Sequence, residues 1–194
     1  MSRLILASAS PRRRELLAEL GREIEVVPAD IDEAPLAGES PKDLVARLAV
    51  TKARTIAHRL TLESADIVIG ADTIVTIGGD VLGKPGDDVG AAAMLARLSG
   101  RSHQVMTGVA LLGHSDERSF VETTTVHFAE LSGADIDAYV ATGEPRDKAG
   151  GYGIQGGAGR FVLEVHGSYQ NIVGLPVAQL SAVLDQLRSG APER

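Results

Sequence analysis

The stretch from Asp66 to Thr76, DIVIGADTIVT, limits the possible folds more than any other. It is a nearly continuous apolar run rich in β-branched residues, the pattern of a central strand buried on both faces. An ionisable residue, Asp72, lies inside it. Carboxylates in such places serve either a hydrogen-bonded structural role or a catalytic one, and the stretch alone supports both.

The flanking pattern alternates strand with helix. Leu4 to Ala7 reads as a short strand, then Ser10 as an N-cap and Pro11 as the first residue of a helix whose inward stripe is Leu16, Leu17 and Leu20. Ile24 to Val27 is a second short strand. Ser40-Pro41 opens the next helix in the same way, with Asp43 in the capping-box position. Ile77-Gly78-Gly79-Asp80-Val81 is a hairpin turn, and Asp87 or Asp88 caps a helix through Met94, Leu95 and Leu98. Val105 to Leu112 and Phe120 to Phe128 then predict an antiparallel pair, Gly133 to Ala141 a short helix, Phe161 to Val165 a strand and Leu175 to Leu187 a closing helix. The expected class is α/β, with a mixed sheet flanked by helices and bent between two lobes. With 194 residues, one domain over residues 1–188 and a flexible tail over 189–194 are expected.

Composition excludes several classes. The chain has no cysteine, which removes disulfides, thiolate catalysis and Cys-based zinc sites. The five histidines, 58, 103, 114, 127 and 166, lack metal-ligand spacing and read as structural or exposed. A net charge of −7 opposes broad binding to nucleic acid, although local basic groups can hold a compact anion. The apolar run near the N-terminus is too short for a signal-peptide core and no stretch resembles a membrane span, so a cytoplasmic protein with no membrane partner is expected. Only 3% of residues are aromatic, which predicts a core of Leu, Ile, Val and Ala. Neither GxGxxG with its distant acidic residue nor a P-loop occurs.

Several polar residues stand out against this frame. Arg13 lies on the Leu16/Leu17 face of the first helix and Arg12 on its edge, either as an anion pocket at a helix N-terminus or as side chains reaching solvent. The loop ADIDE holds Asp30, Asp32 and Glu33, which suits either a Mg²⁺ site or a solvated surface. In the second helix the apolar face is Leu44, Val45, Leu48, Ala49, Ala53, Ile56 and Leu60. At about 100° per residue, Lys52 falls near its middle, where an ammonium must be paired or reach a polar cavity, while Arg47, Arg54 and His58 fall on the solvent side. Lys84 occupies a tight loop and by itself would be solvated. The run from Gly150 to Gly159 is dense in glycine, which signals either close backbone approach or a mobile loop. Basic groups that clamp a polyphosphate, with carboxylates that hold Mg²⁺ and prepare a water, together suggest phosphoanhydride hydrolysis.

The segments SASPRRRELL (8–17), RLAVTKA (47–53), GADTIV (70–75), GKP (83–85), SGRSHQVMTGV (99–109), TGEPRDKAGGYGIQG (142–156) and GSYQNIVGLP (167–176) resemble the Maf family of nucleoside triphosphate pyrophosphatases, also called septum formation proteins. The resemblance runs in order over nearly the whole chain. It implies a two-lobed α/β fold around a deep cleft, similar in shape to the inosine triphosphate pyrophosphatases, and a homodimer. It further implies cleavage of a nucleoside triphosphate between its α- and β-phosphates with a divalent cation, Mg²⁺ or Mn²⁺. Asp72 matches the family's proton acceptor, with metal ligation as its rival role. Arg12, Thr73 and Gln155 match its specificity positions, and Arg13, Glu33, Lys52 and Lys84 its other polar cleft residues, Glu33 being able to complete the metal site. The form of Asp72-Thr73 and GGYGIQG is similar to members acting on dTTP and UTP. Members acting on 7-methyl-GTP differ at both places. A Gln155 amide offers a donor and an acceptor, which suits a pyrimidine edge carrying O and N–H groups, and the glycines around it would let the nucleotide approach the backbone. The alternatives are a 7-methyl-GTP or inosine triphosphate pyrophosphatase, and a non-catalytic nucleotide-binding regulator of septum formation.

Overall fold

A computed structural model describes residues 3–114 and 116–189. The elements follow as β1 (Leu4–Leu6), α1 (Pro11–Ala18), β2 (Ile24–Val26), α2 (Pro41–Arg59), β3 (Ile67–Ile77), β4 (Asp80–Leu82), α3 (Asp88–Leu98), β5 (Ser102–Leu112), β6 (Glu117–Phe128), α4 (Gly133–Val140), β7 (Val162–His166), α5 (Tyr169–Val173) and α6 (Val177–Ser189). Short 3₁₀ turns cover Glu144–Asp147, Ala149–Gly151 and Gly157–Phe161. The seven strands form one sheet in the order β2-β1-β3-β5-β6-β7, with β4 paired to β3. β1 runs parallel to β2 and β3, whereas β3–β4 and β6–β7 are antiparallel. This is the expected mixed α/β class. No helix among the described residues is long and apolar enough to cross a membrane. The tail expected over 189–194 lies outside the described residues except for Ser189, which ends α6.

The chain divides into two compact units. One comprises Met1–Asp72, Thr107–Glu122 and Gly174–Arg194, the other Thr73–Met106 and Thr123–Val173. In the first, Ile5, Ala7, Ala49, Ala53, Ile56, Val68 and Ala110 form a fully buried aliphatic core between α2 and the strands. Small residues dominate it because helix and sheet backbones approach closely. A Cβ on Gly70 would stand 2.1 Å from the Ala49 carbonyl oxygen, and one on Gly108 would stand 2.2 Å from that of Val45. The helix starts follow the sequence. The Ser10 and Ser40 hydroxyls accept from the Arg13 and Asp43 amides, each followed by a proline in the first turn. Asp43 does not complete a capping box; its carboxylate instead accepts the Ser40 hydroxyl proton at 2.6 Å.

The second unit departs from the aliphatic expectation. Five of the chain's six Phe and Tyr residues belong to it and four of them pack together, with Phe128 edge-on to Tyr152 at 4.8 Å and Phe161 edge-on to Tyr139 at 5.5 Å. His103 is 2% exposed and packs on Phe128, its Nε2 lying 2.8 Å from the Tyr152 hydroxyl. Burial lowers its pKa to about 4, so it is a neutral core histidine at pH 7.

One stabilising contact escapes a sequence pattern. Asp66, fully buried, accepts from the backbone and guanidinium of Arg3 and from the Glu63 amide, tying the start of β1 to the start of β3. The Arg3 hydrogen bonds hold its carboxyl at about 2, below the usual 3.8. A depressed carboxyl pKa stabilises the folded state above the unfolded value and loses that effect as pH falls through the folded value. An Asp66→Asn variant is therefore expected to melt below wild type at pH 7, with the gap closing between pH about 4 and about 2. Thermal denaturation across that range checks it, and a gap independent of pH would refute the assignment.

Candidate active site

The five candidates of the first unit are built around Lys52. α2 presents it inside the apolar face between Leu48 and Ile56, and it is 7% exposed. Its Nζ lies 2.7 Å from Asp72 Oδ1 on β3 and 2.5 Å from Glu33 Oε1 on the acidic loop. A buried ammonium of this kind is stable only when paired, and two carboxylates pair it. Asp72 is itself 7% exposed, so removing Lys52 would leave a desolvated carboxylate without its partner.

Arg13 turns inward as the Leu16/Leu17 stripe requires. Its Nε donates to the Gly174 carbonyl at 2.9 Å and Nη1 to Ser8 Oγ at 3.1 Å. Burial lowers its pKa, opposed by the charges of Asp72 and Glu33 and reinforced by neighbouring Arg12. The guanidinium stays charged regardless. Arg12 is half-buried beside it. Three cations and two carboxylates therefore share one region.

The remaining candidates belong to the second unit. Thr73 follows Asp72 on β3 and is half-buried. Lys84 is exposed on the loop after β4, where the Gly150 amide donates to the Gly83 carbonyl at 3.0 Å. Gln155 is exposed on a turn between buried Ile154 and the next 3₁₀ segment.

Two readings of the sequence need correction. Arg47 is not a solvent-side residue: its Nε and Nη2 donate to Glu39 at 2.6 and 2.9 Å, and Nη2 also donates to the Ala34 carbonyl at 3.0 Å. Glu39 accepts from the Leu36 amide as well, and its carboxyl falls to about 2, chiefly through Arg47. The pair thus pins the loop that delivers Glu33 to Lys52. Nor does the glycine-rich run owe its glycines to a nucleotide alone. A Cβ on Gly156 would meet the Glu144 carboxylate at 2.0 Å, and one on Gly150 would meet Val75 at 2.9 Å. The close approach there is between parts of the protein.

Among the described residues no group of three or more His, Asp or Glu gathers as a metal site. Glu33 and Asp72 nevertheless direct carboxylate oxygens at one point, where the Lys52 ammonium stands. Magnesium is commonly held by one or two carboxylates, with water and substrate phosphates completing the shell, so Glu33 and Asp72 could hold a hard divalent cation only through oxygens other than the two that Lys52 engages.

Cations for a polyanion, an oxygen donor pair and a strand-borne carboxylate on a mixed α/β fold define a phosphate-handling class of protein. Its relatives make this specific. The Maf-like protein family model matches residues 3–187, and the chain belongs to that family. The dTTP/UTP pyrophosphatase of Anaeromyxobacter dehalogenans strain 2CP-1 is 51% identical over 194 residues, covering 98% of this chain and 95% of the relative. The dTTP/UTP pyrophosphatase of Bacillus cytotoxicus is 48% identical, covering 98% of each chain. Among solved structures, the Staphylococcus aureus Ham1 protein has a TM-score of 0.53 at 14% identity, covering 98% of this chain and all of its own. Protein VC0702 from Vibrio cholerae has a TM-score of 0.52 at 11% identity, with 99% of each chain covered. These two share the fold.

Proposed function

We propose that this protein is a nucleoside triphosphate pyrophosphatase that hydrolyses dTTP and UTP to the monophosphate and pyrophosphate. The observation that carries the chemistry is the Lys52 ammonium held between Asp72 and Glu33 beside Arg13. The substrate assignment draws on relatives about half identical over nearly their full length that are named for those two nucleotides.

In the reaction a water oxygen bonds to the α-phosphorus while the bond from that phosphorus to the bridging oxygen breaks, and pyrophosphate leaves. Asp72 takes the water proton as it attacks. Lys52 holds the Asp72 carboxylate correctly turned through a short charge-assisted hydrogen bond. Arg13, Lys52 and Lys84 offset the negative charge that builds on the leaving group, and such electrostatic stabilisation is usually the largest contribution to catalysis. Arg12, Thr73 and Gln155 select the nucleotide. A divalent cation, Mg²⁺ or Mn²⁺, bound by Glu33 and Asp72 would supply further charge neutralisation on the phosphates.

The experiment is a pyrophosphate-release assay over a panel of triphosphates with Mg²⁺. dTTP and UTP are expected to lead, and chelation with EDTA should abolish turnover until Mg²⁺ is restored. A panel led by 7-methyl-GTP or inosine triphosphate would overturn the substrate, and binding without release would leave a nucleotide-binding regulator.

A further inference from the structure

We propose that Tyr139 and Glu144 are positioning residues that set base selectivity by holding the turn on which Gln155 is displayed, an inference that rests on the substrate reading above. The turn is pinned on both sides of Gln155. Two residues before it, the Gly153 amide donates to the Tyr139 hydroxyl at 3.1 Å; two residues after it, the Gly157 amide donates to Glu144 Oε2 at 3.0 Å. The two anchors are joined, since the Tyr139 hydroxyl donates to Glu144 Oε1 at 2.9 Å. Within the turn the Gly156 amide donates to the Gly153 carbonyl at 3.1 Å.

Sterics reinforce these bonds. The Glu144 carboxylate occupies the space a Cβ on Gly156 would need, and the Lys148 stem lies 2.7 Å from where one on Gly153 would be. Lys148 in turn donates to the Glu144 carbonyl and to Asp147 Oδ1, both at 2.7 Å. Tyr139 is 1% exposed and its ring packs edge-on to Phe161. Burial raises the pKa of its hydroxyl, so it remains a proton donor to Glu144 across the working pH range. An amide such as Gln155 carries a donor at one end and an acceptor at the other, and the position of its backbone decides which of them can reach a given base edge. Looseness of about 1 Å in such a support commonly erodes a designed or natural site.

The test compares Tyr139→Phe, Glu144→Ala and Glu144→Gln with wild type. For each, kcat and KM are measured with dTTP and with dCTP, whose ring edge has the donor and acceptor of thymine exchanged. Exchange of the Gly153 and Gly157 amides is followed by NMR. Tyr139→Phe keeps the ring packing and removes both hydrogen bonds, so it reads the proposal even if Glu144→Ala fails to fold. The dTTP-over-dCTP ratio in kcat/KM is expected to fall about tenfold in Tyr139→Phe and Glu144→Ala, through KM for dTTP, with kcat on dTTP within about threefold of wild type. Glu144→Gln, which keeps one acceptor for two donors, should fall between. Both amides should exchange faster in Tyr139→Phe. An unchanged ratio in Tyr139→Phe, unchanged amide exchange, or an equal loss of kcat on both substrates would overturn the proposal. A wild type without preference for dTTP would instead overturn the substrate reading beneath it.

Discussion

Asp72→Asn is expected to lower the rate of pyrophosphate release from dTTP by about 10²–10⁴-fold, the range attributable to a general base. Asparagine is nearly isosteric and still offers Lys52 an oxygen in place of Asp72 Oδ1, now 2.7 Å away. It cannot take a proton, and it removes one of the two carboxylates directed at Lys52. Binding should survive, because the basic residues proposed to offset the phosphate charge, Arg13, Lys52 and Lys84, are untouched. The expected pattern is a collapse of kcat with the dissociation constant of a non-hydrolysable dTTP analogue changed by less than about tenfold. Calorimetric titration with that analogue separates the two. A fully active Asp72→Asn enzyme would remove Asp72 from the chemistry. Loss of analogue binding in step with loss of rate would make Asp72 chiefly a part of the binding site.

Lys52 shows why this much was legible in advance. Helical periodicity places it in an apolar face, where an ammonium must be paired or reach a polar cavity. The structure supplies the partners, Asp72 and Glu33. Other contacts leave no local trace. Arg47 holds Glu39 across the start of α2, and a helical wheel reports only that Arg47 leaves the apolar face. Asp66 pairs with Arg3, separated from it by 63 positions. α5 is too short for periodicity, and only Ser168, which accepts from the Asn171 amide, hints at a helix start. α6 begins at Val177, later than the apolar pattern suggests, because the Leu180 amide pairs with the Pro176 carbonyl as its first turn forms. Glycine is the least informative residue in the sequence. In the Gly150 to Gly159 run and in β3 and β5 it marks close approach, but only coordinates reveal what approaches.

Gly108→Ala and Gly70→Ala are expected to be the most damaging of the conservative substitutions to the fold. Neither glycine has a positive φ, so alanine fits their backbone, and on unfolded-state entropy alone it would stabilise the protein by about 0.4–1 kcal/mol. Space reverses the sign. A Cβ on Gly108 would lie 2.2 Å from the Val45 carbonyl oxygen and 2.9 Å from the Ala46 nitrogen; on Gly70 it would lie 2.1 Å from the Ala49 oxygen and 2.8 Å from the Ala53 nitrogen. These are backbone atoms, so no side chain can rotate aside. Helix α2 would have to lift from the sheet by about an ångström or more to restore ordinary contact near 3.5 Å. Overpacking of this kind costs about 1–3 kcal/mol or more, which outweighs the entropic gain. Both glycines press on one ridge of α2, at Val45 and Ala49, and Lys52 follows within a turn. The same displacement would therefore stretch the Lys52–Asp72 pair. Each single variant should lose several degrees in its melting temperature, and turnover of the folded fraction should fall with it. A Gly108→Ala protein that melts and turns over like wild type would show that α2 does not lie against β5 as described.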